Sequence, residues 1–219
     1  MKTLISAFVL ICFLSTRLIA QTPEAPQRLA YSDRFSILFG LIQPVALAGF
    51  NIEVNYDTKR LMFEYSHGAS LDPPVVGAYK SHGLALHLPY STGFGIGYRF
   101  NSFLDLRFEP KLHSWEVYAA GEGQNSESQI TGFKTFTLGL GLYYRYMPFR
   151  NAESKFLQGI TTSTSLRYWQ NVGTTLSKDA WTHRNPNNNV TETLKAPRIG
   201  MANTPIIFNI AVGYTFGGK

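Results

Sequence analysis

The sequence predicts an all-β protein, an eight-stranded antiparallel transmembrane β-barrel with short turns at one end and longer loops at the other. Three observations predict it. Eight segments alternate large apolar residues with small or polar ones, and a period of two puts one set on each face of a strand. The aromatic residues gather at strand ends, with aliphatics between them. The connections sort into short and long, as they do when a barrel crosses a bilayer.

Taken in order, Phe35, Ile37, Phe39 and Leu41 form a first strand that ends near Pro44. The second sets Phe50, Ile52, Val54 and Tyr56 against Asn51, Glu53 and Asn55, and a turn at Asp57–Arg60 follows. Leu61, Phe63 and Tyr65 alternate with Met62, Glu64 and Ser66, and 69–91 reads as a long connection. Next come Phe94, Ile96, Tyr98 and Phe100 against Gly93, Gly95, Gly97 and Arg99. Asn101-Ser102 turns into Leu104, Leu106 and Phe108, opposed by Asp105, Arg107 and Glu109. Pro110 marks an expected bulge, because the alternation slips before Trp115 and Val117. After 121–129, Phe136 to Tyr146 alternates with Thr137, Gly139, Gly141, Tyr143 and Arg145. Ile160–Tyr168 is the weakest strand, with Arg167 on its polar face, and 173–204 reads as a long polar connection.

Periodicity alone leaves open whether the apolar face meets lipid or a soluble core. The aromatics decide it. Phe35, Tyr56, Tyr98, Phe100, Tyr144, Tyr146, Tyr214 and Phe216 fall at one end, and Phe50, Tyr65, Phe94, Phe136, Tyr168 and Phe208 at the other. The bands stand roughly 15–20 Å apart along a tilted barrel, with an aliphatic belt between them. Two aromatic girdles match two bilayer interfaces. The opposite face mixes Gly with Arg and Glu, which suits a narrow interior. A soluble lipocalin-like carrier would reverse the two faces.

The last strand sets Ile206, Phe208, Ile210, Val212, Tyr214 and Phe216 against Ile207, Asn209, Ala211, Gly213 and Thr215, and only Gly217, Gly218 and Lys219 follow it. A terminal amphipathic strand closing on Tyr-x-Phe resembles the C-terminal signature of bacterial outer-membrane β-barrels, and the whole pattern resembles the small OmpA/OmpX-type barrels. The resemblance implies that Phe208, Ile210, Val212, Tyr214 and Phe216 act as an assembly signal for the barrel-assembly machinery. It also implies that 57–60, 101–102 and 148–156 are periplasmic, while 69–91, 121–129 and 173–204 are external. Lys2, the apolar run 4–14 and Ala20 lay out a cleaved signal peptide over 1–20, too short for a membrane anchor. Residues 21–33 are then a polar lead and 34–219 the outer-membrane barrel domain.

Cys12, the only cysteine, falls in the exported segment, so the mature chain is expected to hold no disulfide, thiolate metal site or cysteine nucleophile. Losing Lys2 and Arg17 lowers the formal charge from +6 to +4, and no Lys/Arg run points to nucleic acid. Gly93-x-Gly95-x-Gly97 lies inside a strand with no helix after it, so it reads as small inward residues rather than a phosphate loop. The candidate site is an interior charge network of Glu53, Glu64, Arg99, Asp105, Arg107, Glu109, Arg145 and Arg167, its arginines paired with its acids. His67, His82, His87, His113 and His183 map to the outer half, near Ser66, Ser81, Ser114 and Glu116. They invite comparison with outer-membrane acyl hydrolases, but their spacing reproduces no such motif. No catalytic, metal or cofactor-binding residue is assigned, and no cofactor is expected.

The expected function is therefore that of a non-enzymatic outer-membrane barrel with a side-chain-filled interior. It acts through its external loops in binding or adhesion, or in envelope structure. Its partners are outer-membrane lipid and an external ligand that the sequence does not name. An outer-membrane lipid- or lipopolysaccharide-modifying acyl hydrolase or transferase, a narrow channel and a soluble lipocalin-like carrier are the alternatives.

Overall fold

The computed structural model describes residues 33–75, 77–185 and 188–217, so the expected signal peptide and all but Asp33 of the polar lead lie outside the described residues. In chain order the elements are β1 (Arg34–Gly40), the helical turn α1 (Ile42–Ala46), β2 (Phe50–Asp57), β3 (Leu61–Leu71), α2 (Ala78–Ser81) and β4 (Leu84–Arg99). Then follow β5 (Leu104–Ala119), β6 (Gln129–Tyr146), α3 (Lys155–Gln158), β7 (Ile160–Thr174), β8 (Ala180–Arg184), β9 (Thr191–Lys195) and β10 (Ile206–Gly217). Eight strands close a barrel in the order β1-β10-β7-β6-β5-β4-β3-β2, and β8-β9 is a separate hairpin. Every pairing is antiparallel, and the barrel closes where Arg34 to Gly40 of β1 meets Gly217 to Ala211 of β10.

The connections separate two ends. At the turn end, Thr58 Oγ1 accepts the Leu61 N–H at 3.1 Å, and Asn101 Oδ1 accepts the Phe103 and Leu104 N–H groups at 2.8 Å each. These side chains satisfy backbone donors that the three- and four-residue reversals leave unpaired. The 147–159 connection shares this end, and 41–49, 72–83, 120–128 and 175–205 share the other, the loop end.

The alternation sorts side chains as a membrane barrel requires. Phe94, Leu140 and Leu166 are 67%, 55% and 57% exposed on the outer face, while Glu53, Asn55, Glu64, Arg107 and Glu109 are buried inside. No helix among the described residues is long and apolar enough to cross a membrane; a β-barrel crosses with strands instead.

Three expectations need correcting. Burial alternates without a break from Asp105 to Val117, and β5 pairs with β6 in register through Pro110, so Pro110 marks no bulge. The irregularity lies in β4, between His87 and Ser91. What reads as a slip in the sequence is a change of interior: the same inward face carries charge near the turn end and Trp115 and Val117 near the loop end. Second, β3 and β4 run well into the expected 69–91 loop, leaving 72–83. Third, the 173–204 connection contains the β8-β9 hairpin, whose five-residue strands lie within a polar stretch.

Inside the loop end sits an apolar core of Leu71, Tyr79, Leu84, Leu86, Leu88, Trp115, Val117 and Phe133, with Leu194 from the hairpin. Leu47, Leu176, Trp181 and Ile199 pack against it from the connections. Each such side chain taken from water contributes about 1.5–3 kcal/mol, so this core holds the loops on the barrel.

Candidate functional site

The barrel interior is built in layers from the turn end. At the bottom, Thr215 Oγ1 lies 2.9 Å from Ser36 Oγ and 2.7 Å from Thr161 Oγ1. Beside them, at the same end, Asp57 pairs with Arg145 and, at 3.4 Å, with Arg34, while Arg99 donates to the Thr58 carbonyl at 2.6 Å. Asp105 takes Arg107 Nε at 2.6 Å and lies 3.9 Å from Arg145 Nη2.

Arg107 is the hub. Its Nη1 reaches Glu53 at 2.6 Å, Glu64 at 2.7 Å and the Asn55 amide oxygen at 3.1 Å. Its guanidinium lies 3.4 Å over the Tyr143 ring, which also faces Arg167 at 4.7 Å. Arg167 in turn reaches Glu53 at 3.5 Å. Lys111 Nζ lies 3.2 Å from Glu64 and 3.7 Å from Glu109, and donates to Ser66 Oγ. Glu109 also accepts from the Tyr143 hydroxyl and from Trp169 Nε1, the latter at 2.9 Å. Gly139 and Gly141 make the room: a Cβ at Gly139 would run into the Trp169 ring, and one at Gly141 would meet Tyr143 and Glu109 Oε1 at 2.6 and 2.8 Å.

Among the described residues, Glu53, Asp57, Glu64, Asp105 and Glu109 are five buried acids, and Arg99, Arg107, Lys111, Arg145 and Arg167 five buried bases. These five acids and five bases match in number, as buried ions require, and Arg34, less deeply buried beside Asp57, adds a sixth cation at the turn end. All eight residues of the expected network lie here. Asp57, Lys111, Tyr143, Trp169 and Arg34 join them unannounced. Asp57 reads as the start of a turn, and Lys111 follows the apparent slip at Pro110. Trp169 lies one residue past the expected strand end. Strict extension of the inward parity of β2, β5, β6 and β7 would have found all four of Asp57, Lys111, Tyr143 and Trp169.

Toward the loop end the charges stop. His113 lies between Ser91 Oγ at 2.8 Å and Thr137 Oγ1 at 2.9 Å, so the third partner in line is a hydroxyl rather than a carboxylate. Trp115 Nε1 donates to Thr135 at 2.8 Å. His87 meets Asp72 at 2.6 Å and His82 meets Glu192 at 2.8 Å. The His82 and His183 rings lie 5.7 Å apart, and burial together with His82 lowers the His183 pKa. Tyr79 donates to the Lys195 carbonyl at 2.7 Å, and burial raises its pKa. Of the serines near these histidines in the sequence, Ser66 bonds Lys111 and Ser81 bonds the Ala78 carbonyl, while Glu116 accepts from Tyr118 at 2.6 Å. Among the described residues no cluster of three His, Cys, Asp or Glu side chains could hold a metal ion.

The expected assembly-signal residues stand together on the outer face of β10. The Tyr214 and Phe216 rings are 4.7 Å apart, and Phe35 of β1 lies 6.2 Å from Phe216 across the closing seam. Above the charge network the apolar core surrounds a chamber of about 330 Å³. Leu71, Leu86, Leu88 and Trp115 line its barrel side, and α1 and residues 197–203 line its outer side.

No family model and no curated protein matches the chain. Among solved structures it is similar to Ail, the attachment invasion locus protein of Yersinia pestis, in complex with the heparin analogue sucrose octasulfate. That match has 13% identity over 84% of this chain and 99% of that one, with a TM-score of 0.42. The N-terminal β-barrel domain of Pseudomonas aeruginosa OprF matches at 15% identity over 85% of this chain and 98% of that one, with a TM-score of 0.39. Ail in a phospholipid bilayer nanodisc matches at 14% identity over 84% of this chain and 100% of that one, with a TM-score of 0.34. The chain is thus similar, at the level of its eight-stranded barrel, to small bacterial outer-membrane barrel proteins.

Proposed function

We propose that this chain is a bacterial outer-membrane barrel, exported by a signal peptide over 1–20 and inserted by the barrel-assembly machinery. Its lumen is sealed and its work is done by the external end, in binding or adhesion or in envelope structure. The observation that carries the sealed lumen is the five-against-five charge network. Its members bond one another and the rings of Tyr143 and Trp169 across the full width of the barrel. An eight-stranded barrel is just wide enough for side chains to fill, and here they do so with matched charge. Outward Phe, Leu and Ile residues support contact with membrane lipid, and the packed cap of α2, β8 and β9 supports an external ligand surface. Neither nucleic acid nor a cofactor enters this reading. Single-channel recording of the purified protein in planar bilayers tests it. Silence or rare, small flickers are expected; large, steady conductance would replace it with a channel.

A further inference from the structure

The barrel wall is incomplete at the loop end. β1 ends at Gly40 opposite Ala211, and the Leu41 N–H makes its last bond to the Ile210 carbonyl at 2.8 Å. β10 continues to Ile206, paired there only with β7. The free edge of 206–209 is therefore covered by the short turn α1 instead of a strand. This gap lies level with Phe208 and Phe50, in the aromatic band that marks one bilayer interface.

The chamber lies behind this gap. Its lining includes Leu88 and Trp115 from inside the barrel, Ala46 from α1, and both Ile207 and Phe208 from β10. Phe208 belongs to the outward set and Ile207 to the inward set, so the lining draws on residues of both faces of β10 at this gap. Gln43 is among the lining residues, and so is exposed Arg198. A volume of about 330 Å³ falls within the roughly 300–1,000 Å³ of ligand pockets.

We propose that the chamber receives an acyl chain of a membrane lipid, which enters from the bilayer through the β1–β10 gap. The medium facing the gap is hydrocarbon, and the walls beyond it are Leu, Ile and Trp. Arg198, exposed and among the lining residues, suits an anionic head group. This rests on the barrel lying in a bilayer, and it stands apart from conductance, since the chamber sits above the charge network and its test reads lipid contact rather than current.

The probe is a phospholipid with brominated acyl chains, which quenches tryptophan on contact, in vesicles holding the full chain. The Trp115 share of emission is obtained by subtracting the spectrum of Trp115→Phe. Strong quenching of that share is expected, although Trp115 is only 1% exposed and faces the lumen. Ala46→Phe should fill the mouth and abolish most of it, whereas Val45→Phe, on the same turn but outside the lining, should leave it intact. Ala46→Leu serves if the Phe variant fails to give a heat-modifiable folded band. Equal Trp115 emission in brominated and ordinary vesicles would overturn the proposal, as would quenching unaffected by filling the mouth. Quenching by brominated fatty acid added from water, with none from brominated bilayer, would equally overturn entry from the membrane.

Discussion

Arg107 shows what a single residue does in this interior. It is fully buried and touches Glu53, Glu64, Asp105, Asn55 and Tyr143, so three carboxylates share one guanidinium whose planar fork serves several acceptors, each with a second cation in Arg167, Lys111 or Arg145. Removing one partner leaves the others under-compensated rather than merely losing a bond. Glu53→Ala should therefore cost about 3–5 kcal/mol, visible as a lower urea midpoint for unfolding in detergent. Outward Leu140→Val, which trims one methylene on the lipid face, should shift that midpoint little. Equal effects of the two changes would mean that the network contributes no more than lipid-facing packing.

At the scale of elements, the hairpin β8-β9 and the strand β10 make separate predictions. The hairpin docks through Leu194 and the His82–His183 contact. Burial lowers the His183 pKa from its ordinary value of 6.5. A histidine that is harder to protonate when docked favours the docked form less as pH falls through and below 6.5, because the undocked form takes up the proton more readily. Amide exchange over 180–195 should thus quicken between pH 7.5 and 5.5, and His183→Phe should flatten that dependence; an unchanged profile in the variant would remove His183 as its cause. For β10, the Tyr214 and Phe216 rings meet at a tilt on the outer face, with Phe35 beyond Phe216. Phe216→Ala should lower the amount of inserted, heat-modifiable protein in cells more than it lowers the stability of purified barrel. Normal insertion of that variant would count against the assembly-signal role.

For the molecule as a whole, the orientation follows from the two unlike ends. The turn end has tight reversals at 58–60 and 100–103 beside the longer 147–159, and the loop end carries 41–49, 72–83, 120–128 and 175–205 with its hairpin. Compact turns suit the periplasm, and packed, longer connections suit the cell exterior. A tag inserted in 120–128 should bind antibody on intact cells, whereas one after Asp57 should need permeabilised cells. The opposite result would invert the barrel.

Alternation and connection lengths were enough to predict the eight barrel strands, their two faces and their order, because strand geometry converts a period of two directly into two faces. The same parity brought Glu53, Glu64, Asp105, Arg107 and Arg167 into one lumen, since no other address exists for a charge on the inward side of a membrane strand. Which charge meets which was beyond the sequence: Arg107 lies 54 residues from Glu53 and 43 from Glu64, and only barrel closure sets that distance. Trp115 and Val117 misled the reading because an inward apolar residue and an outward one look alike until the register through Pro110 is known. The hairpin was invisible for a related reason, since Leu194 becomes apolar-facing only against a core supplied by Leu84, Leu86 and Trp115. The chamber and the wall gap depend on where β1 stops relative to β10, two strands at opposite ends of the chain. Local pattern fixes which way a side chain points, whereas the stagger of distant strands decides what it finds there.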